Sequence, residues 1–140
     1  MKILGIDFGL KKIGLALADS EIKIAMPSDI IYYFSKKELI EKIRKIIIEK
    51  EVKKIIIGLP LSFDFQETEM SQKVRSFGVM LEKEFSLPID FQNEMFSSKQ
   101  VENMEFEAKR KIKSRKPKQF QDVDNQSAAL ILESYLAEKL

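Results

Sequence analysis

A chain of 140 residues with 44% hydrophobic and 33% charged residues, five Gly and four Pro has the size and make-up of one globular domain, residues 1–140, which argues against a disordered, fibrous or multidomain protein. It contains no Cys and no His, and this excludes disulfides, thiolate nucleophiles, iron–sulfur clusters, imidazole bases and Cys- or His-ligated zinc. The net charge of +2 conceals a basic block, Lys109 to Lys118, with seven basic residues and no acid, against which the rest of the chain carries 17 basic and 22 acidic residues.

The apolar run Lys2 to Phe8, the turn Gly9-Leu10-Lys11-Lys12 and the second run Ile13 to Ala18 predict a hairpin of two buried strands. A third strand is expected within Ile22 to Tyr32, at a sheet edge or interrupted, because Pro27 cannot donate to a ladder. Ser35-Lys-Lys-Glu38 has the form of a capping box, and Leu39, Ile40, Ile43, Ile46 and Ile47 follow at helical spacing, which predicts a helix over 36–50. Lys54 to Ile57 reads as an interior strand that stops at Gly58-Leu59-Pro60. Met70, Val74, Phe77 and Leu81 predict a second helix over 69–84, and Leu87 to Phe91 a further strand. Ser97 with Gln100 is read as the opening of a helix that runs into the basic block. Asp122 to Asp124 are placed just before a last helix carrying Ala128, Ile131, Leu132, Tyr135 and Leu136. The order β-β-β-α-β-α-β-α-α predicts an α/β sheet, antiparallel on one side and parallel on the other, with helices on both faces. The amino-terminal apolar run is too short for a signal sequence and no longer span of apolar residues follows, so a cytoplasmic protein with no membrane partner is expected.

With thiol and imidazole gone, carboxylates holding a hard cation lead the remaining catalytic options. Asp7 ends an otherwise apolar strand, where a carboxylate must be hydrogen-bonded, neutralised or metal-bound; an Asx-type turn with the Gly9 loop serves it as well as a metal does. Glu94 follows the fifth strand at the edge where ligands of open α/β sheets collect, although by itself it reads as a surface acid. Asp124 alone reads as a helix N-cap. Taken together, the three lie at element ends in segments far apart in sequence, as a composite site requires. If they converge, two carboxylate-bridged divalent ions would cleave a phosphodiester in line. The basic block is either a solvated loop or a contact for the phosphate backbone.

Five segments, taken in order, resemble one family. They are Gly5-Ile6-Asp7-Phe8-Gly9 with Lys12-Ile13-Gly14, then Ile57-Gly58-Leu59-Pro60-Leu61, then Lys73-Val74-Arg75-Ser76-Phe77, then Asn93-Glu94-Met95-Phe96-Ser97-Ser98, and finally Val123-Asp124-Asn125-Gln126-Ser127-Ala128-Ala129 with Ile131 to Leu136. The chain resembles the YqgF/RuvX proteins over nearly its whole length. These are ribonuclease H-like bacterial proteins described as pre-16S rRNA nucleases and earlier as Holliday-junction resolvases. The resemblance implies a five-stranded mixed sheet of order 3-2-1-4-5, and Asp7, Glu94 and Asp124 as catalytic ligands of Mg²⁺ or Mn²⁺. The expected partner is nucleic acid, with a ribosomal RNA precursor or its particle favoured over branched DNA and the protein a monomer or homodimer. The backbone contacts are expected from Lys11, Lys12, Arg75, Lys109, Arg110, Lys111, Lys113, Arg115 and Lys116.

Two departures from the family pattern bear on activity. Asn93-Glu94-Met95 stands where the family usually has Asp-Glu-Arg, which removes a negative charge and an Arg and keeps open a nucleic-acid-binding protein with weak or no catalysis. Phe65 follows Asp64 where a glycine is usual, at a position that calls for a positive φ. A sugar-kinase or actin-like ATPase, suggested by Asp7-Phe8-Gly9, needs a second lobe that this length does not supply.

Overall fold

A computed structural model describes residues 1–62, 64–93 and the backbone of 118–139, with side chains of the last segment described over 127–138. Strands β1 (Lys2–Asp7) and β2 (Lys12–Asp19) form the expected hairpin, paired from Lys2 opposite Asp19 to Asp7 opposite Gly14. Strand β3 (Ile24–Tyr32) lies at the edge beyond β2, and its register slips between Gly14 and Ala16, beside Pro27. Both expectations for Pro27, the edge and the interruption, are met at once, since the proline faces a bulge on a strand with no outer neighbour. Strands β4 (Val52–Leu59) and β5 (Ile89–Asn93) add in parallel on the other side of β1, and the order is β3-β2-β1-β4-β5.

Helix α1 (Lys36–Lys50) has the predicted bounds. Its Ser35 cap is one-sided: the hydroxyl accepts from the Glu38 N–H at 3.2 Å, while the Glu38 carboxylate turns forward to Lys42 at 3.1 Å. The reciprocal capping box falls instead on helix α2 (Glu69–Phe85), where Thr68 and Ser71 each accept from the other's backbone N–H. A hydroxyl at the third helical position replaces the usual Glu or Gln there, so the signature is not visible in sequence. Both helices close on a left-handed residue, Glu51 and Ser86, whose N–H returns to a carbonyl of the last turn.

Helix α3 (Lys118–Lys139) corrects the sequence reading. Asp122 and Asp124 were expected to precede it, but the helix begins at Lys118, so both lie within its first two turns. The opening Lys118-Gln-Phe-Gln has no apolar periodicity from which that start could be read. Strand β5 also begins two residues later than expected, because Pro88 uses its carbonyl to accept from the Ile55 N–H. The helix expected after Ser97 lies outside the described residues.

Strand alternation divides the apolar residues between two cores. Leu4, Ile6, Ile13, Leu15, Ile55 and Ile57 face α1 and α2, whereas Ile3, Ala16, Ala18, Ala25 and Ile56 face α3 with its Ala128, Ile131, Leu132 and Tyr135. Burial on both faces is why these strands read as continuous apolar runs.

Candidate active site at the carboxyl edge of the sheet

Because β1, β4 and β5 are parallel, their carboxyl ends share one edge. β3 runs in the same direction as β1, so Tyr32, opposite Lys12, ends there too. Asp7, Leu59 and Asn93 are the last residues of three neighbouring strands at this edge. β1 is also where the sheet changes from antiparallel to parallel, the kind of position where open α/β sheets gather ligands.

Asp7 is half-buried. Its face follows from alternation: Ile3 belongs to the core under α3, and Gly5 lies so close beneath that helix that a Cβ there would sit 2.5 Å from Leu132 Cγ. Asp7, two residues on, is therefore on the α3 side of β1. The turn that follows is held tightly. A Cβ at Gly9 would meet the Lys12 carbonyl oxygen at 2.4 Å, so only glycine fits without movement. Tyr33 fastens the same turn from the β3–α1 connection, its hydroxyl donating to the Gly9 carbonyl at 2.6 Å and its N–H to the Lys11 carbonyl at 3.1 Å. Burial raises the Tyr33 pKa above the ordinary phenol value, so the hydroxyl keeps its proton as a donor. Nothing in the sequence marked Tyr33 for this work.

Glu94 follows directly on β5 and lies outside the described residues, two positions after Gln92, whose amide donates to Glu138 of α3 at 3.0 Å. Asp124 is on α3, eight positions before Leu132, about 12 Å along the helix axis. Its side chain is not among those described. Among the described residues no group of three acidic side chains gathers to hold a metal ion, and of the expected triad only the Asp7 side chain is among them.

Of the expected backbone contacts, Lys11 is exposed and Lys12 half-buried in the turn beside Asp7. Arg75, on the exposed side of α2, is held by both carboxylate oxygens of Glu67 and lies 5.5 Å from the Phe91 ring centre. The Arg75 hydrogen bond holds Glu67 below the usual carboxylate range, and Glu67 raises the Arg75 guanidinium in return. Arg75 thus ties the β4–α2 loop to its helix, and a phosphate there would compete with Glu67. Lys109, Arg110, Lys111, Lys113, Arg115 and Lys116 lie outside the described residues.

Phe65 has φ 60°, so the conformation expected of the missing glycine is present with a bulky side chain in it. Around it the Ser62 carbonyl accepts from the Phe65 N–H at 3.0 Å, the Ser62 N–H donates to the Gln66 carbonyl at 3.0 Å, and the Ser62 hydroxyl reaches Asp64. Thr68 then anchors the end of the loop by donating to the Pro60 carbonyl at 2.9 Å.

A mixed sheet of this order, with an acid ending its central strand and a long carboxyl-terminal helix across the face that acid occupies, is the architecture of the ribonuclease H-like proteins. Solved structures agree on the fold. Thermus thermophilus RuvC in complex with a Holliday junction matches with TM-score 0.58 at 16% identity, over 99% of this chain and 97% of that one. The fowlpox virus resolvase with junction DNA matches with TM-score 0.56 at 12% identity, over 100% and 99%. The family model described as RuvX, Holliday junction resolvase, matches residues 1–138, and this chain belongs to that family. A relative from Maridesulfovibrio salexigens is 36% identical over 137 residues, covering 98% of each chain, and one from Rickettsia bellii is 36% identical over 136 residues, 96% of this chain and 84% of the relative. Both carry the provisional name pre-16S rRNA nuclease.

Proposed function

We propose that this chain is a divalent-metal-dependent nuclease that hydrolyses phosphodiester bonds in structured RNA, acting in the cytoplasm at the 5′ end of pre-16S rRNA or on the precursor particle that contains it. The observation that carries the reading is the half-buried carboxylate of Asp7 at the carboxyl end of the central strand, on the side covered by α3. The names of the full-length relatives support the substrate.

Asp7, Glu94 and Asp124 are the proposed ligands. A chain without Cys or His offers oxygen donors, which suit Mg²⁺ or Mn²⁺ and not softer metals. Bound there, such an ion supplies polarisation of the scissile phosphate and neutralises charge on the leaving oxygen. The protein's own part is positional: β1 pairing and the Tyr33 hydrogen bond hold the Asp7 turn, and Lys11, Lys12, Arg75 and the basic block from Lys109 to Lys116 bind the backbone without reading sequence.

The test is cleavage of labelled pre-rRNA fragments and four-way DNA junctions with Mg²⁺, Mn²⁺ or chelator, by the wild type and by Asp7→Asn. Metal-dependent cutting of the RNA that Asp7→Asn abolishes is the expected result. The family description favours a second reading, a resolvase that cuts the junction and works as a two-fold dimer. Cutting of the junction and not of the RNA selects it. Tight binding with no cleavage of either substrate selects a binding protein disabled at Asn93 and Met95.

A further inference from the structure

At the same sheet edge, on the face opposite Asp7, a cleft of ≈ 590 Å³ opens between the turn after β1 and helices α1 and α2. Phe8, the residue next to Asp7, lines it together with Tyr33, Phe77 and Met80, and the Phe8 and Phe77 ring centres are 4.7 Å apart. Cations stand at its rim from both helices, Lys36 on α1 and Lys73 on α2, with Glu69 the acid among the lining residues. The chain enters α1 through Tyr32-Tyr33-Phe34, and Phe34 is 98% exposed. An aromatic ring left wholly in water beside an aromatic-walled cleft rimmed by lysines suits a partner with both a flat π-face and a negative charge. Interleaving of rings and cations is the common pattern of surfaces that hold unpaired nucleotides.

We infer that this cleft is a subsite for an unpaired nucleobase of the substrate strand, with Lys36 and Lys73 holding the adjoining phosphates. The inference rests on the nuclease reading of the edge and adds to it a preference for single-stranded flanks. Asp7 and Phe8 are consecutive and project to opposite sides of β1. A strand whose scissile phosphate lies at Asp7 therefore passes over the end of β1, and a neighbouring base turns down into the cleft. A base-paired nucleotide cannot make that turn, so the site selects RNA that is unpaired beside the cut. The volume is in the usual range for small-ligand sites and accommodates one nucleotide.

The experiment is fluorescence anisotropy with a labelled short oligouridylate and with the same oligomer carrying abasic spacers. The wild type is expected to bind the base-bearing oligomer about tenfold more tightly than the abasic one. Ser76→Trp places a large ring in the cleft from the exposed side of α2 and should erase that preference. In a second variant, Lys36→Ala with Lys73→Ala, both oligomers should bind more weakly and the salt dependence should flatten by roughly one unit of slope. Equal wild-type affinity for the two oligomers overturns the inference, as does an undiminished preference in a folded Ser76→Trp. Asp7→Asn separates the two readings: it should lose cleavage and keep the base preference. Cleavage retained by Asp7→Asn refutes the catalytic site and leaves the cleft to stand on its own binding data.

Discussion

On the side of α1 and α2 the sheet presents Leu4, Ile6, Ile13, Leu15, Ile55 and Ile57, whereas on the side of α3 the same strands present Ile3, Gly5, Ala16, Ala18 and Ile56. Large aliphatic side chains hold two helices off the first face and leave room for a cleft at its edge. Small ones let a single long helix come down onto the second, close enough that Leu132 fills the space a Cβ of Gly5 would need. The close face is the one that carries Asp7. A site assembled from β1 and α3 needs the helix near the strand, and the Gly and Ala residues permit that approach at the cost of core volume.

The sharpest way to break the contrast is at the Gly5–Leu132 contact. Leu132→Ala should destabilise by about 2–5 kcal/mol in a urea melt, since Leu132 is fully buried. Gly5→Ala alone should cost about 1–3 kcal/mol through overpacking, and in the Leu132→Ala background its cost should fall to near zero. Additive costs would show that α3 is not held against Gly5. A smaller effect is expected at the turn beside Asp7. Tyr33→Phe removes the donor to Gly9 and should cost roughly 1 kcal/mol while leaving the ring in place. The sign with pH is set by the raised Tyr33 pKa. Its contribution is complete below the ordinary phenol value and is lost as pH rises through the higher folded value, a trend that Tyr33→Phe should abolish in alkaline melts.

On the opposite side of the edge, Phe65→Gly relieves a left-handed bulky residue and should stabilise by at most about 1 kcal/mol, the strain relief being partly offset by glycine's extra freedom in the unfolded chain. A loss of stability would mean that the Phe65 side chain packs usefully. The smallest effect belongs to the exposed Glu67–Arg75 pair. The Glu67 pKa is lowered, so its contribution is present above the model value of 4.5 and disappears as pH falls through the folded value. Glu67→Gln should remove that acid-side slope and leave neutral-pH stability almost unchanged.

Much of this arrangement was legible in the residues. Uninterrupted apolar runs marked strands buried on both faces, Pro27 marked the edge, and Ser35 with the isoleucine spacing placed α1 to the residue. What could not be read depends on contacts between distant segments. Tyr33 looked like one more aromatic, and its partner lies 24 positions away. The capping box at Thr68 uses a serine where a carboxylate or amide was sought. The start of α3 is written in basic and amide residues that carry no hydrophobic period. Asp7 was legible as a carboxylate needing a partner, but its side of the sheet follows only from the position of Gly5 under Leu132.

The central claim is that carboxylates from β1, from the end of β5 and from α3 converge at this edge to hold one metal site. The most direct measurement is Mn²⁺ titration, followed by electron paramagnetic resonance, of the wild type, Asp7→Asn, Glu94→Gln and Asp124→Asn. The account predicts that each substitution weakens Mn²⁺ binding at least about tenfold with the fold intact, because each removes an anionic ligand. Wild-type affinity retained in folded Glu94→Gln or Asp124→Asn would contradict it.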